Sequence, residues 1–271
     1  MSDDDTERLA AVFDRSAGVY DSAIPFFGRF GERLVGFAEV VPGERVIDVA
    51  CGRGASLIPA AHAVIPGGEV LGVDLAPAMV EHLRADLGAL RLDHAKVRVG
   101  NALHLDVPDA SFDVALSGFA VMLLPDPGRA VAELARVVQP GGRVAISVPT
   151  GAGPEWSFMG ELVFQFIGRV VGPLPPPPGP PLDLVAILQD AGLFAVRIAD
   201  ESEDFTFATP ETWWRWVWSQ GMRTILEALP DDALADFRSA AESRLAGFAS
   251  PDGSIPLRQD VRYAVAERPR Q

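Results

Sequence analysis

Asp48, Gly52, Gly54 and Asp74 combine residue types and spacing that can hold a ligand. Asp48 lies in the β-branched run Val46-Ile47-Asp48-Val49, and the two glycines follow at i, i+2. A second apolar run, Val70-Leu71-Gly72-Val73, leads into Asp74, twenty residues past Gly54. Glycines in such a turn let a ligand approach the backbone, and an acid at the tip of the next strand can accept hydrogen bonds from both hydroxyls of a ribose. The pyrophosphate-binding version of this turn carries a third glycine three positions on; Leu57 stands there. The spacing therefore favours a nucleoside without phosphate over a dinucleotide.

Groups placed this way need parallel strands that end together, and the chain supplies the pattern. From 45 to 149, short β-branched runs alternate with helical stretches, as in successive βαβ units. Strands are predicted at 45–50, 69–73, 96–99, 112–117 and 143–148, and helices at 54–64, 77–87 and 127–138. Beyond 150 the pattern changes. An apolar helical stretch over 156–171 runs into Pro-Leu-Pro-Pro-Pro-Pro-Gly-Pro-Pro, which can continue neither a helix nor a central strand and reads as a stiff spacer. A helix over 183–191, a strand over 194–198, helices over 209–229 and 231–246, and a terminal hairpin or strand over 255–267 follow. The expected organisation is an N-terminal helical cap (1–40), a ligand-binding core (41–150), a helical lid (151–253) interrupted by a core strand near 193–199, and a strand (254–271) completing the sheet.

Composition excludes several functions. The 271 residues carry a net charge of −14 with one lysine, Lys96, against the clustered cations that nucleic acid or an anionic membrane requires. No apolar run reaches the roughly 18 residues of a membrane span, and the acidic start lacks a signal core. Cys51 is the single cysteine, and the four histidines, at 62, 82, 94 and 104, lack metal-ligand spacing. A soluble, cytoplasmic, metal-free monomer or homodimer acting on a small molecule is expected, with neither nucleic acid nor membrane as partner.

Four stretches in order, Asp48-Val-Ala-Cys-Gly-Arg-Gly54, Leu71-Gly-Val-Asp-Leu-Ala-Pro-Ala-Met79, Gly100-Asn-Ala-Leu-His-Leu105 and Ala110-Ser-Phe-Asp-Val-Ala-Leu-Ser117, resemble the motifs of class I S-adenosylmethionine-dependent methyltransferases. The small-molecule group that includes the ubiquinone and menaquinone enzymes is the most similar in flavour, and Arg136-Val-Val-Gln-Pro-Gly-Gly-Arg-Val-Ala-Ile146 resembles its helix–Pro-Gly-Gly–strand segment. The resemblance covers about residues 10–150. It implies an α/β fold: a Rossmann-like, seven-stranded, mostly parallel sheet with helices on both faces and a helical lid insertion. It also implies S-adenosylmethionine as cofactor, with S-adenosylhomocysteine as product. Asp48, Ala50, Cys51, Gly52 and Gly54 would meet the amino-acid end of the cofactor. Asp74 would grip the ribose, and Leu75, Met79, Asn101, Ala102 and Leu103 the adenine. Ser117, Gly118 and Phe119 would flank the sulfonium. Asn101 stands where the family usually carries an acid, and its amide oxygen can still accept a hydrogen bond.

Phe13-Asp-Arg-Ser-Ala-Gly-Val-Tyr-Asp21 looks like the family's N-terminal helix, which makes Tyr20 a candidate to cover the methyl donor, followed by Phe26 and Phe27 as apolar lid residues. His104, beside the adenine loop, is the nearest histidine that could serve as a base. Trp213-Trp-Arg-Trp-Val-Trp218 holds four of the five tryptophans. On a helix they cannot share one face, so one set can pack on the sheet while Trp214 and Trp218 form an aromatic wall for a flat acceptor. Trp156, Phe158 and Met122 would join that pocket. The expected reaction is methyl transfer to a hydrophobic, aromatic small molecule of specialised metabolism, at carbon or oxygen, by in-line displacement. The competing reading is a cofactor-binding protein of the same fold that catalyses another reaction or regulates a partner. A Tyr-x-x-x-Lys oxidoreductase is set aside, because no tyrosine lies four before Lys96.

Overall fold

The two apolar runs that flank the glycine turn form neighbouring parallel strands. In the computed structural model, which describes residues 3–171 and 181–270, β1 (Arg45–Val49) pairs in parallel with β2 (Glu69–Asp74), placing Asp48 opposite Gly72. The crossover between them, α3 (Leu57–Ala63), starts later than the sequence pattern predicts. Gly52 (φ +51°) and Gly54 (φ +85°) hold the chain in left-handed conformations, so the helix can begin only beyond them.

The parallel part continues through α4 (Pro77–Leu90), β3 (Ala95–Val99), β4 (Phe112–Gly118), α5 (Pro127–Val137) and β5 (Val138–Ala152). α4 has proline in its first turn, where its missing N–H costs nothing. Asp126 caps α5, accepting from the Arg129 N–H at 2.8 Å. β6 (Phe194–Phe207) and β7 (Ile255–Glu267) complete a seven-stranded sheet in the order β3-β2-β1-β4-β5-β7-β6, with β7 antiparallel to both neighbours. One face is covered by α2 (Phe26–Phe37), α3 and α4, and the opposite face by α5 and α7 (Leu184–Asp190).

Beyond β5 the chain forms α6 (Pro154–Phe166), α8 (Pro210–Trp218), α9 (Arg223–Glu227) and α10 (Asp231–Leu245). The single helix predicted over 209–229 is therefore two, broken around Gly221. The proline-rich spacer falls almost wholly outside the described residues. β6, at 14 residues, is nearly three times the length expected from 194–198, because the poor strand formers Asp200 to Asp204 are held by partners distant in sequence. Arg262 on β7 pairs with Asp200 at 2.7 Å, and Arg29 on α2 with Glu203 at 3.2 Å. No described helix is long and apolar enough to cross a membrane.

Candidate active site

The carboxyl ends of β1, β2 and β4 converge on a narrow slot lined by Ala50, Gly52, Asp74, Leu75, Met79, Asn101, Ala102, Leu103, Gly118 and Phe119. Its roof comes from the N-terminal cap, where α1 (Asp3–Ser16) and the following turn bring Phe13 and Tyr20 over it. Two side chains fasten the cap. Asp14 accepts from the Ala78 N–H at the start of α4 (2.7 Å), and Arg53, between the two glycines, donates to the Ala17 carbonyl (2.6 Å) while pairing with Asp86 (2.5 Å). Under the cap the slot measures about 100 Å³, small beside the ~300–1,000 Å³ of ligand pockets.

Asp74 ties the two ligand-binding turns together. Its Oδ2 accepts from the Gly52 N–H at 2.7 Å and its Oδ1 from the Ala76 N–H at 2.9 Å. Burial holds its carboxyl above the usual range, opposed by these amides. Asp48 lies deeper, 1% exposed, and its Oδ2 has no hydrogen-bond partner. Burial first and the charge of Asp74 second push its carboxyl well up, with the Leu57 amide opposing. Two buried carboxylates with one oxygen unpaired make a site that a cationic ligand would relieve. The Ser147 hydroxyl on β5, opposite Gly118 in the sheet register, is likewise buried without a partner.

The remaining candidates separate by position. Tyr20 lines the slot, and burial, with Asp21 and Asp74 nearby, holds its phenol well above the ordinary range, so it stands protonated at neutral pH. His104 is exposed and outside the slot. Cys51 turns into the core under α3, where burial raises its thiol and leaves it unreactive. Ser117 donates to the Val49 carbonyl at 3.1 Å, and Gly54 faces a second cavity beside α2. Phe26 and Phe158 are buried in the core, and Met122 packs on the other face of the sheet. Trp213 and Trp216 pack inward, Trp216 against Phe26 (5.1 Å between centroids), Phe207 and Trp156. Trp214 is 6% exposed against Phe237 of α10, and Trp218 is half-buried beside it. None of the tryptophans lines the slot. Residues the sequence alone did not mark include Phe13, Ala76 and the run Leu123-Leu124-Pro125, all of which line the slot; for the last of these an apolar run after β4 is the one signal the sequence carries.

An acid-tipped β2 and a glycine turn at the edge of a parallel sheet define a Rossmann-like protein that binds a nucleoside. Residues 47–146 match the methyltransferase domain family. Nocamycin O-methyltransferase of Saccharothrix syringae is 33% identical over 270 residues, covering 94% of this chain and 96% of that protein. Aklanonic acid methyltransferase DauC of Streptomyces sp. strain C5 is 37% identical over 154 residues, 56% of this chain and 70% of that one. Among solved structures, YcgJ from Bacillus subtilis superposes with a TM-score of 0.58 at 18% identity, over 90% of this chain and 99% of its own. The [4+2]-cyclase SpnF does so with a TM-score of 0.56 at 17% identity, over 90% and 82%. The chain belongs to the S-adenosylmethionine-dependent methyltransferases, and S-adenosylmethionine is its methyl donor.

Proposed function

We propose that the chain methylates a flat, hydrophobic, aromatic small molecule of specialised metabolism at oxygen or carbon. The observation that carries this reading is the ring cluster beside Gly118. Tyr20 and Phe27 stack in parallel at 4.8 Å with 9° between planes, and Phe119 meets Phe27 edge-on at 5.8 Å. Such faces receive an aromatic ring by stacking and bring little hydrogen bonding for a polar acceptor. The natural-product names of the two relatives described above point the same way.

S-adenosylmethionine supplies, when bound, an electrophilic methyl group on a sulfonium. The residues present suit it. Asp74 has lone pairs left to accept from the ribose hydroxyls. Asn101, whose Oδ1 is fixed by the Leu103 N–H at 2.9 Å, offers both an acceptor and N–H donors to the adenine edge. The unpaired Asp48 oxygen suits the α-ammonium group. Alignment of the acceptor by the rings and exclusion of water then contribute most of the acceleration, an effect worth about 7–11 kcal/mol in favourable systems. Tyr20, held protonated, can donate a hydrogen bond to an acceptor oxygen but cannot take its proton. An acidic phenol or an electron-rich carbon needs no base.

The raised carboxyls give a signed expectation. Asp48 and Asp74 take up protons at higher pH than ordinary carboxyls, and a bound cation favours their ionised forms. Donor binding should therefore release protons at mildly acidic pH, and affinity should fall as pH falls. Calorimetry at about pH 5 in buffers of different ionisation enthalpy checks this, and no net proton release would refute it. The acceptor class is tested by incubating the protein with methyl-labelled donor and panels of phenols, enolisable carbon acids, amines and thiols, then locating the new methyl by NMR. Methylation of amines alone would overturn the reading.

A further inference from the structure

A second cavity of about 820 Å³ lies between α2 and α3, and among the described residues Tyr20 is the one side chain that lines both it and the donor slot. Its apolar lining comes from Val35 and Val40 on one side and Ile58 and Ala63 on the other. This volume falls within the range of small-molecule sites, whereas the donor slot does not. At the end nearest the slot it is walled by the Tyr20–Phe27 stack, and Phe27 touches Phe119 on the slot side.

Asp21 fixes that wall. Its Oδ1 accepts from the Phe27 N–H and its Oδ2 from the Gly28 N–H, both at 2.9 Å, so one carboxylate clamps the first turn of α2 to the residue following Tyr20. Asp21 itself sits in the left-handed region at φ +55°, which strains an L-residue. The two amide bonds offset that strain and hold the Tyr20 and Phe27 rings face to face. Burial raises the Asp21 carboxyl to about 6, with both amides opposing.

We infer that the groove between α2 and α3 is the port through which the flat acceptor enters, that the Tyr20–Phe27 stack is the partition it must pass, and that Asp21 is the positioning residue that sets the partition. This rests on the aromatic-acceptor reading above. The acceptor slides along the apolar walls and displaces or intercalates the Tyr20 ring, meeting the methyl donor beside Phe119. Asp21 touches neither reactant and acts through Tyr20 and Phe27.

Gly36 makes the test direct. It lies on α2, lines the groove, and a Cβ built there meets nothing within 4 Å, so Gly36→Phe fills the port without straining the fold. The protein is mixed rapidly with alizarin, a flat coloured phenol, in the presence of S-adenosylhomocysteine to follow association, and turnover is followed with methyl-labelled donor. Gly36→Phe should slow alizarin association at least about tenfold, with kcat, donor affinity and thermal stability retained. Asp21→Ala should give the opposite split: kcat lowered about tenfold with the acceptor KM little changed, since the port opens but the rings no longer align. An unchanged alizarin association rate in Gly36→Phe would overturn the port and leave the aromatic reading standing. Equal losses of kcat and donor affinity in Asp21→Ala would reduce Asp21 to a helix cap and overturn its positioning role. Failure of the wild-type protein to bind alizarin at all would overturn the aromatic reading and the port with it.

Discussion

Asp74→Ala is expected to weaken S-adenosylmethionine binding by at least about tenfold, because in the donor placement proposed above it removes charge-assisted hydrogen bonds to the ribose worth about 1.5–3 kcal/mol. The same carboxylate accepts from the Gly52 and Ala76 amides, so its loss also unties the glycine turn from the loop entering α4. Both effects act in one direction. Asp74→Asn separates them, since its one remaining oxygen can keep one amide or one hydroxyl in place, and should fall between the two. Calorimetry on the cofactor alone makes the measurement independent of the acceptor; unchanged affinity in Asp74→Ala would remove Asp74 from the donor site.

Gly31→Ala is expected to destabilise the protein by about 3 kcal/mol, lowering the melting temperature by roughly 6–12 °C. α2 crosses the start of α3 so closely that a Cβ on Gly31 would lie 2.1 Å from the Ala55 carbonyl oxygen and 2.7 Å from the Ser56 nitrogen. These are backbone atoms, which cannot rotate aside as a side chain can. Five residues along the same helix, Gly36→Ala should have the opposite sign, a gain of about 0.5–1 kcal/mol, because it meets open space and restricts the unfolded chain. Thermal unfolding of the two variants side by side checks the pair, and a neutral Gly31→Ala would mean that α2 does not sit on the glycine turn as described. The contact matters for function, because the helix carrying Phe27 is seated directly on the loop that receives the donor.

The slot at the carboxyl ends of β1 and β2 was legible in the sequence because its determinants are local. The β1–turn–α3 unit and the tip of β2 span fewer than thirty residues, and strand, glycine and acid each leave a recognisable mark at fixed spacing. The acceptor side was not legible, because ring orientation is a tertiary property. A helix carrying Trp213, Trp214, Trp216 and Trp218 shows two faces in sequence, and either could have faced a ligand. Packing of α6 and α10 from either side buries three of these rings and half-buries the fourth, while Tyr20, Phe27 and Phe119, each singled out from the family resemblance, come together beside the slot in a mutual orientation that only the fold fixes. Similarly, Asp21 reads in sequence as the end of a helix motif, and only the fold brings its carboxylate onto the first turn of the next helix.

What the sequence by itself determined is the parallel half of the sheet, the glycine turn, the two acids and hence the class of methyl donor, because short-range backbone preferences and side-chain chemistry suffice for these. Tertiary structure alone decided the extension of β6 through Asp200–Asp204, the burial of the tryptophans and the partition between donor slot and groove. Those features depend on pairings between residues far apart in the chain, such as Arg29 with Glu203 and Tyr20 beside Asp74. Their energies exist only once the sheet has closed, so no local pattern records them.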